Sequence, residues 1–102
     1  MIVTVDFTEG KALLDTKKDL LLFDVREEEE YITGHAVGAE LFTLADVDAA
    51  SAAERIPTFS TPVMVYCRTG RRSKEAAQIL DALGYTEIYD LGGLVGWPYG
   101  LE

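Results

Sequence analysis

The side chain best suited to nucleophilic chemistry is Cys67, the one cysteine of the sequence, in the segment YCRTGRRS (66–73). Four of the nine basic residues lie within the seven positions after it, although the chain holds 18 acidic residues and a net charge of −9. These four are Arg68, Arg71, Arg72 and Lys74. Nearby cations favour the ionised form of a thiol, and the thiolate is the nucleophile. The segment therefore predicts a reactive cysteine in a local anion-binding environment.

The position of Cys67 supports the same chemistry. It ends the apolar run VMVYC (63–67), a predicted buried strand, and precedes a glycine-containing loop that leads into the helical pattern SKEAAQILDALG (73–84). Backbone N–H groups of residues 68 to 73 can converge on the sulfur there, with the positive end of the helix dipole behind them. We expect Gly70 to take a positive φ angle, Ser73 to cap the helix and Gly84 to follow its end. The alternative is a buried apolar cysteine beside a solvated basic turn.

Alternating strands and helices position this loop. Apolar runs predict five strands, at 2–5, 20–25, 39–42, 63–67 and 87–91. Helical patterns cover 9–18, 44–55 after an N-capping Thr43, and 73–84. This order predicts a three-layer α/β fold, with a central parallel sheet of about five strands and helices on both faces. Ligands bind such sheets at the carboxyl ends of the strands, where Cys67 falls.

Composition limits the classes of partner. We expect residues 1–100 to form a single domain and treat Leu101 and Glu102 as a candidate cloning remnant. A net charge of −9 disfavours binding to nucleic acid or to an anionic membrane surface, and no apolar run approaches a membrane span. A cytoplasmic location is the expectation, and a single cysteine suits a reducing compartment. One cysteine and one histidine give no metal site.

Three motifs resemble the single-domain rhodaneses. CRTGRRS (67–73) is similar to their active-site loop, DVREEEEYITGHAVGAE (24–40) to their signature segment with Ala36 in place of the usual isoleucine, and LGGLVGWPYG (91–100) to their closing segment. The resemblance implies a sulfurtransferase that needs no cofactor. Cys67 would take sulfur from a small anionic donor such as thiosulfate, hold it as a persulfide and pass it to a thiol, to cyanide or to a candidate protein acceptor.

The remaining residues near this loop have structural interpretations. Arg68, Thr69, Gly70, Arg71, Arg72 and Ser73 form the predicted substrate-binding loop. Asp24 and Arg26 are expected to form a buried pair near the site, and the resemblance implies a structural hydrogen-bonding role for His35 in preference to that of a general base. The acidic run 27–30 is interpreted as a solvated helix face that favours the helix dipole.

Two other functions use the same fold or loop. Cysteine phosphatases and arsenate reductases of rhodanese-like fold need an arginine six residues after the cysteine, where this chain has Ser73. The loop is therefore one residue too short for that chemistry. A carrier that passes its persulfide to one specific protein uses the same loop as a small-molecule enzyme, and the two differ in acceptor preference.

Overall fold

Five parallel strands form the centre of the molecule. In this computed structural model, which describes all 102 residues, the sheet has the order β1-β5-β4-β2-β3. The strands are β1 (Ile2–Thr4), β2 (Leu21–Asp24), β3 (Glu40–Leu41), β4 (Val63–Cys67) and β5 (Ile88–Gly93). All neighbouring strands pair in parallel. The predicted α/β fold with a five-stranded parallel sheet is confirmed.

Four α-helices cover this sheet. They are α1 (Phe7–Thr16), α2 (Glu28–Ile32), α3 (Ala49–Arg55) and α4 (Arg71–Leu83). Helix α1 begins two residues before the predicted start, because Asp6 and Glu9 form a capping box that satisfies the N–H groups of its first turn. No helix combines the length and the apolar character that crossing a membrane requires.

Two predicted N-caps, Thr43 and Ser73, are wrong. In place of the single helix expected over 44–55, the chain forms a 3-10 turn at Leu44–Asp46 and then α3. The Asp48 side chain caps α3 by accepting a hydrogen bond from Ser51 N at 2.8 Å. Thr43 makes no capping hydrogen bond with its side chain. Ser73 is not the N-cap of α4: Gly70 takes that position with φ 102°, and Ser73 is buried within the first turn.

Strand β4 divides the core by the alternation of its side chains. Val63, Val65 and Cys67 face one apolar layer, which α4 covers through Ala76, Ala77 and Leu80. Met64 and Tyr66 face the opposite layer, against which α1 packs through Leu13 and Leu14. The alternation therefore directs the Cys67 side chain toward the helix that follows it.

A β-bulge shifts the pairing of β4 with β5 near the carboxyl end. Val65 is opposite Asp90, but Tyr66 is opposite Gly92, so Leu91 is the additional residue of β5. The Asp90 carboxylate accepts a hydrogen bond from Gly92 N at 2.9 Å and fixes this irregularity. The bulge places Gly93 directly opposite Cys67.

Candidate active site

Cys67 ends β4 with its sulfur beneath the loop that starts α4. The backbone N–H of Gly70 donates to Sγ at 2.9 Å. The hydroxyl of Ser73 donates to the carbonyl of Gly70 at 3.1 Å, which closes the turn. Gly70 can adopt this left-handed conformation without the steric cost that a side chain would add. The loop thus curls around the sulfur before the helix begins.

The surroundings of the sulfur favour its ionised form. Burial is the largest single influence and opposes ionisation. The hydrogen bonds that the loop donates, led by the N–H groups of Ser73 and Gly70, outweigh burial and lower the pKa of Cys67 below its ordinary value. Cys67 has 0% of its surface exposed, so the thiolate is stabilised by amide dipoles and not by water.

Gly93 permits the close packing of this loop on β5. A Cβ atom at Gly93 would lie 2.5 Å from the carbonyl oxygen of Arg68 and 2.9 Å from Cα of Thr69. Both contacts involve backbone atoms, which cannot move aside as a flexible side chain could. Gly93 is therefore a positioning residue for the loop. The double glycine of LGG belongs to a motif of the sequence, but its contact with the loop depends on the bulge in β5.

A buried polar network holds the carboxyl end of β2 next to this loop. The Arg26 guanidinium pairs with the Asp24 carboxylate, with Nη2 to Oδ2 at 2.6 Å, and also donates to the carbonyl of Gly34 at 2.7 Å. The Tyr66 hydroxyl donates to Asp24 Oδ2 at 2.6 Å and accepts from Ala36 N at 3.1 Å. Burial and the bond to Asp24 raise the pKa of Tyr66, so it remains a donor. The network joins β2, β4 and the segment after α2.

Glu30 on α2 forms a bidentate ion pair with Arg72 on α4. The two contacts are 2.6 Å and 3.0 Å long, and both side chains are mostly shielded from solvent. The hydrogen bonds from Arg72 hold the pKa of Glu30 at about 2, well below its ordinary value. The interpretation of the whole acidic run as a solvated face is therefore wrong at Glu30. No sequence signal joins these partners, because 42 positions separate them.

The other cations of the loop are unpaired. Arg68, Arg71 and Lys74, called the open cations below, are exposed at the surface. None of them takes part in a salt bridge, although acidic residues outnumber basic ones by 18 to 9. Their charge is therefore free to act on solutes near the loop.

His35 contacts Tyr31 and Glu102 and makes no hydrogen bond to Cys67. Its ring stacks on Tyr31 with a centroid distance of 3.7 Å. Nδ1 lies 3.0 Å from the carbonyl oxygen of Tyr31, which can only accept, so Nδ1 carries the proton. Nε2 is 3.7 Å from a carboxylate oxygen of Glu102. Leu101 and Glu102 contact the folded chain here, through an antiparallel bridge between Ala36 and Leu101.

Comparison with known proteins gives the class of this fold and site. Residues 6–98 match the Rhodanese-like domain family. Since the match covers most of the chain and the motifs around Cys67, Asp24 and Gly93 lie within it, the chain belongs to this family.

Three solved structures illustrate the likeness. A rhodanese with anions from E. coli is 34% identical, with a TM-score of 0.75 over 81% of this chain and 96% of that one. The human single-domain sulfurtransferase TSTD1 is 29% identical, with a TM-score of 0.75 and 88% of each chain covered. A thiosulfate sulfurtransferase from Pseudomonas aeruginosa is 34% identical, with a TM-score of 0.80 over 93% of this chain, which spans 18% of that longer one.

Proposed function

We propose that this protein is a sulfurtransferase that carries sulfane sulfur as a persulfide on Cys67. The observation that carries the proposal is the hydrogen bond from Gly70 N to Cys67 Sγ at 2.9 Å, in a loop that lowers the pKa of the thiol. Family membership supports the same chemistry, since similar proteins include a thiosulfate sulfurtransferase and a single-domain sulfurtransferase.

The reaction divides one transfer into two displacements. The Cys67 thiolate attacks the outer sulfur of thiosulfate, the sulfur–sulfur bond of the donor breaks, and sulfite leaves with the electron pair. Cys67 then bears a persulfide whose terminal sulfur is anionic. A nucleophilic acceptor, such as cyanide or a thiolate, attacks that terminal sulfur, and the electron pair returns to Cys67 as thiolate. The chemistry is complete without a metal or an organic cofactor.

The loop residues have distinct proposed roles. Backbone N–H groups of Thr69, Gly70 and Ser73 stabilise the negative charge on sulfur before and after loading. Arg68 and Arg71 attract the anionic donor to a molecule whose net charge of −9 would otherwise repel it. Arg72 shares its charge with Glu30 and chiefly fixes the start of α4. Asp24, Arg26 and His35 keep a structural role in this proposal.

The buried position of Cys67 has a consequence for the first step. With 0% of the residue exposed, the donor reaches Sγ only when the loop or its rim moves. The side chains of Arg68 and Thr69 are exposed and can shift without breaking the core, while the loop backbone stays packed on Gly93. The same burial protects the thiolate from oxidation between turnovers. A reducing compartment would also keep this single thiol free, and we propose the cytoplasm as its location.

The loop length argues against phosphoryl chemistry. A phosphoryl transition state has three equatorial oxygens, which phosphatases of this type bind with loop amides and an arginine six residues after the cysteine. That position is Ser73, which is buried and bonded to Gly70, while Arg72 is paired with Glu30. The site supports transfer of a single sulfur atom better than hydrolysis of a phosphate or reduction of arsenate.

The test is a pair of assays on one preparation. Incubation with thiosulfate and cyanide should release thiocyanate and sulfite in equal amounts, and an aryl phosphate should remain at background hydrolysis. Efficient aryl phosphate hydrolysis together with no sulfur transfer would show that the loop-length argument fails.

A further inference from the structure

Two carboxylates are buried in the strands of the sheet, and their surroundings differ. Asp24 at the end of β2 is paired with Arg26 and accepts a further hydrogen bond from Tyr66. Asp90 in β5 is 8% exposed and takes part in no salt bridge. Its side chain accepts a hydrogen bond from Gly92 N at 2.9 Å. An unpaired carboxylate is costly to bury in a parallel sheet, and this hydrogen bond is the contact that an apolar residue at position 90 could not make.

Asp90 points to the face of the sheet that carries the reactive thiol. Its partner on β4 is Val65, which shares the apolar layer under α4 with Cys67. Ile88, two residues earlier on β5, belongs to the same layer. Because side chains alternate along a strand, the Asp90 side chain lies on this face as well. The buried carboxylate and the sulfur are therefore on the same side of two neighbouring strands.

The Asp90 carboxylate closes the turn at which β5 departs from regular pairing. A side-chain oxygen that accepts from the N–H two residues later forms an Asx turn, which has the shape of a backbone turn. This turn encloses Leu91, the additional residue of the bulge, and ends at Gly92 with φ 79°. Without the additional residue, regular pairing would place Gly92 opposite Cys67 instead of Gly93. The carboxylate therefore helps to determine which glycine meets the Cys67 loop.

Three contacts connect this turn to the sulfur. The first is the hydrogen bond from Gly92 N to Asp90. The second is close packing of two glycines, since Cα of Gly92 lies 3.7 Å from the position that a Cβ atom at Gly70 would occupy. The third is the hydrogen bond from Gly70 N to Cys67 Sγ at 2.9 Å. A shift of Gly92 would therefore displace an N–H group that stabilises the thiolate.

We propose that Asp90 is a positioning residue for Cys67, and that it acts through its hydrogen bond to Gly92 and not through its charge. The carboxylate bonds Gly92 N, whereas the sulfur is bonded by the loop. By fixing the bulge, Asp90 holds the Gly70 N–H in place and so favours the thiolate that attacks the donor. The effect on turnover rests on the sulfur transfer proposed above, but the effect on the thiol needs no substrate.

Two neutral substitutions separate the hydrogen bond from the charge. Asp90→Asn keeps an oxygen that can accept from Gly92 N, and Asp90→Ala has no acceptor. Ultraviolet absorbance of the thiolate follows the titration of Cys67, the only cysteine, with the Cys67→Ser form of each protein as the blank. The pKa of Cys67 should be higher in Asp90→Ala than in Asp90→Asn, because the loop loses its support. Asp90→Val, which suits a buried strand, is a second variant without an acceptor and should agree with alanine. Equal pKa values of Cys67 in all three variants would overturn the proposal.

Turnover gives a second measurement on the same variants. For transfer from thiosulfate to cyanide, kcat should be about tenfold lower in Asp90→Ala than in Asp90→Asn. The KM for thiosulfate should stay within about twofold, because the open cations remain.

Asp48→Ala is the matched control for lost stability. The Asp48 side chain accepts the same kind of hydrogen bond, from Ser51 N at 2.8 Å, but at the start of α3 and outside the Cys67 loop. Its loss should lower the unfolding temperature and leave both kcat and the pKa of Cys67 unchanged. If Asp48→Ala lowers kcat as much as Asp90→Ala does, lost stability is the cause and the positioning role is wrong.

The two measurements separate this proposal from the function on which it rests. A higher pKa of Cys67 in Asp90→Ala, in a protein that takes up no sulfur, would support the positioning role and contradict the sulfurtransferase. Sulfur transfer with equal kcat and equal thiol pKa in the alanine and asparagine variants would support the sulfurtransferase and contradict the positioning role.

Discussion

The arginines around Cys67 fall into two groups, those in ion pairs and those without a partner. Arg26 and Arg72 are paired with Asp24 and Glu30, at 2.6 Å in each case, and are shielded from solvent. Arg68 and Arg71 are exposed and unpaired. A paired arginine contributes little net field, because its carboxylate cancels it, but the rigid fork of its hydrogen bonds fixes two elements together. The paired group builds the site, and the open group attracts its substrates.

The packing of Gly93 against the loop should give the largest effect. Gly93→Ala places a methyl group against the backbone of Arg68 and Thr69, so the loop must move away from β5. We expect a stability loss of about 1–3 kcal/mol from overpacking and a fall in sulfur transfer of about 100-fold from the displaced loop. Thermal unfolding measures the stability loss, and steady-state kinetics with thiosulfate measure the fall in sulfur transfer.

Gly38→Ala is the control for this variant. Gly38 has φ 86° and open space around its Cα, so alanine there costs about 1–2 kcal/mol through backbone strain but does not touch the loop. Its sulfur transfer should stay near the parent rate. Equal activity of Gly93→Ala and Gly38→Ala would show that the loop does not depend on its contact with β5.

Removal of the Glu30 charge, which pairs with Arg72, should have the next largest effect. Glu30→Gln keeps the shape of the side chain but removes the charge that binds Arg72, and we expect it to cost about 1 kcal/mol of stability. The start of α4 loosens, so kcat should fall about threefold while the KM for thiosulfate does not rise. Glu29→Gln, on the same helix without an ion pair, is the matched control. A raised KM with unchanged kcat would assign Glu30 to substrate binding instead.

Loss of an open arginine should act on KM alone. Arg71→Ala removes an exposed charge whose attraction for the anionic donor is worth about 0.2–1 kcal/mol, so the KM for thiosulfate should rise at most about fivefold. Added salt should reduce the difference in KM between this variant and the parent. Arg72→Ala should raise KM as well, because the Glu30 carboxylate that it leaves unpaired repels the anionic donor, and the same unpaired charge should lower the unfolding temperature. If both variants have the same stability, the division into two groups of arginines is wrong.

The pH dependence of the Glu30 pair gives the smallest effect. Because the pKa of Glu30 is about 2 in the folded protein and about 4.5 in the unfolded chain, its contribution is complete above pH 4.5. That contribution decreases as the pH falls toward about 2, since the unfolded chain binds the proton first. The difference in unfolding temperature between the parent and Glu30→Gln should therefore shrink over this interval. If the difference in unfolding temperature stays constant as the pH falls, the charge of Glu30 is not the cause of that difference.

Local patterns predicted the parts of the site that are local in the chain. Apolar runs gave the five strands, and the cysteine, glycine and basic residues of 67–73 gave the loop, because strand, turn and cap preferences act over a few residues. The N-cap of α4 lies three residues before the predicted one, at Gly70 and not at Ser73. The serine pattern resembles a cap, but the left-handed Gly70, which packs against Gly92 and Gly93, takes that place. The split between the 3-10 turn and α3 was missed because Asp48, and not Thr43, caps the helix.

Contacts between distant segments could not be predicted from such patterns. Glu30 lies in a run of four acidic residues that look alike in the sequence, and only the fold brings one of them to Arg72. Gly93 belongs to the LGG motif, but its contact with the loop follows only from the bulge in β5, which places it opposite Cys67. In both cases the partner is set by strand order and register, which depend on the packing of the whole sheet.

The most direct measurement of the central claim is the intact mass of the protein after incubation with thiosulfate. The parent should gain the mass of one sulfur atom, and cyanide should remove it and yield thiocyanate. Cys67→Ser, which should fold with an unchanged circular dichroism spectrum, should gain nothing. A sulfur adduct on Cys67→Ser, or a parent protein that gains no sulfur from thiosulfate or from a persulfide donor, would contradict the assignment of Cys67 as the sulfur carrier.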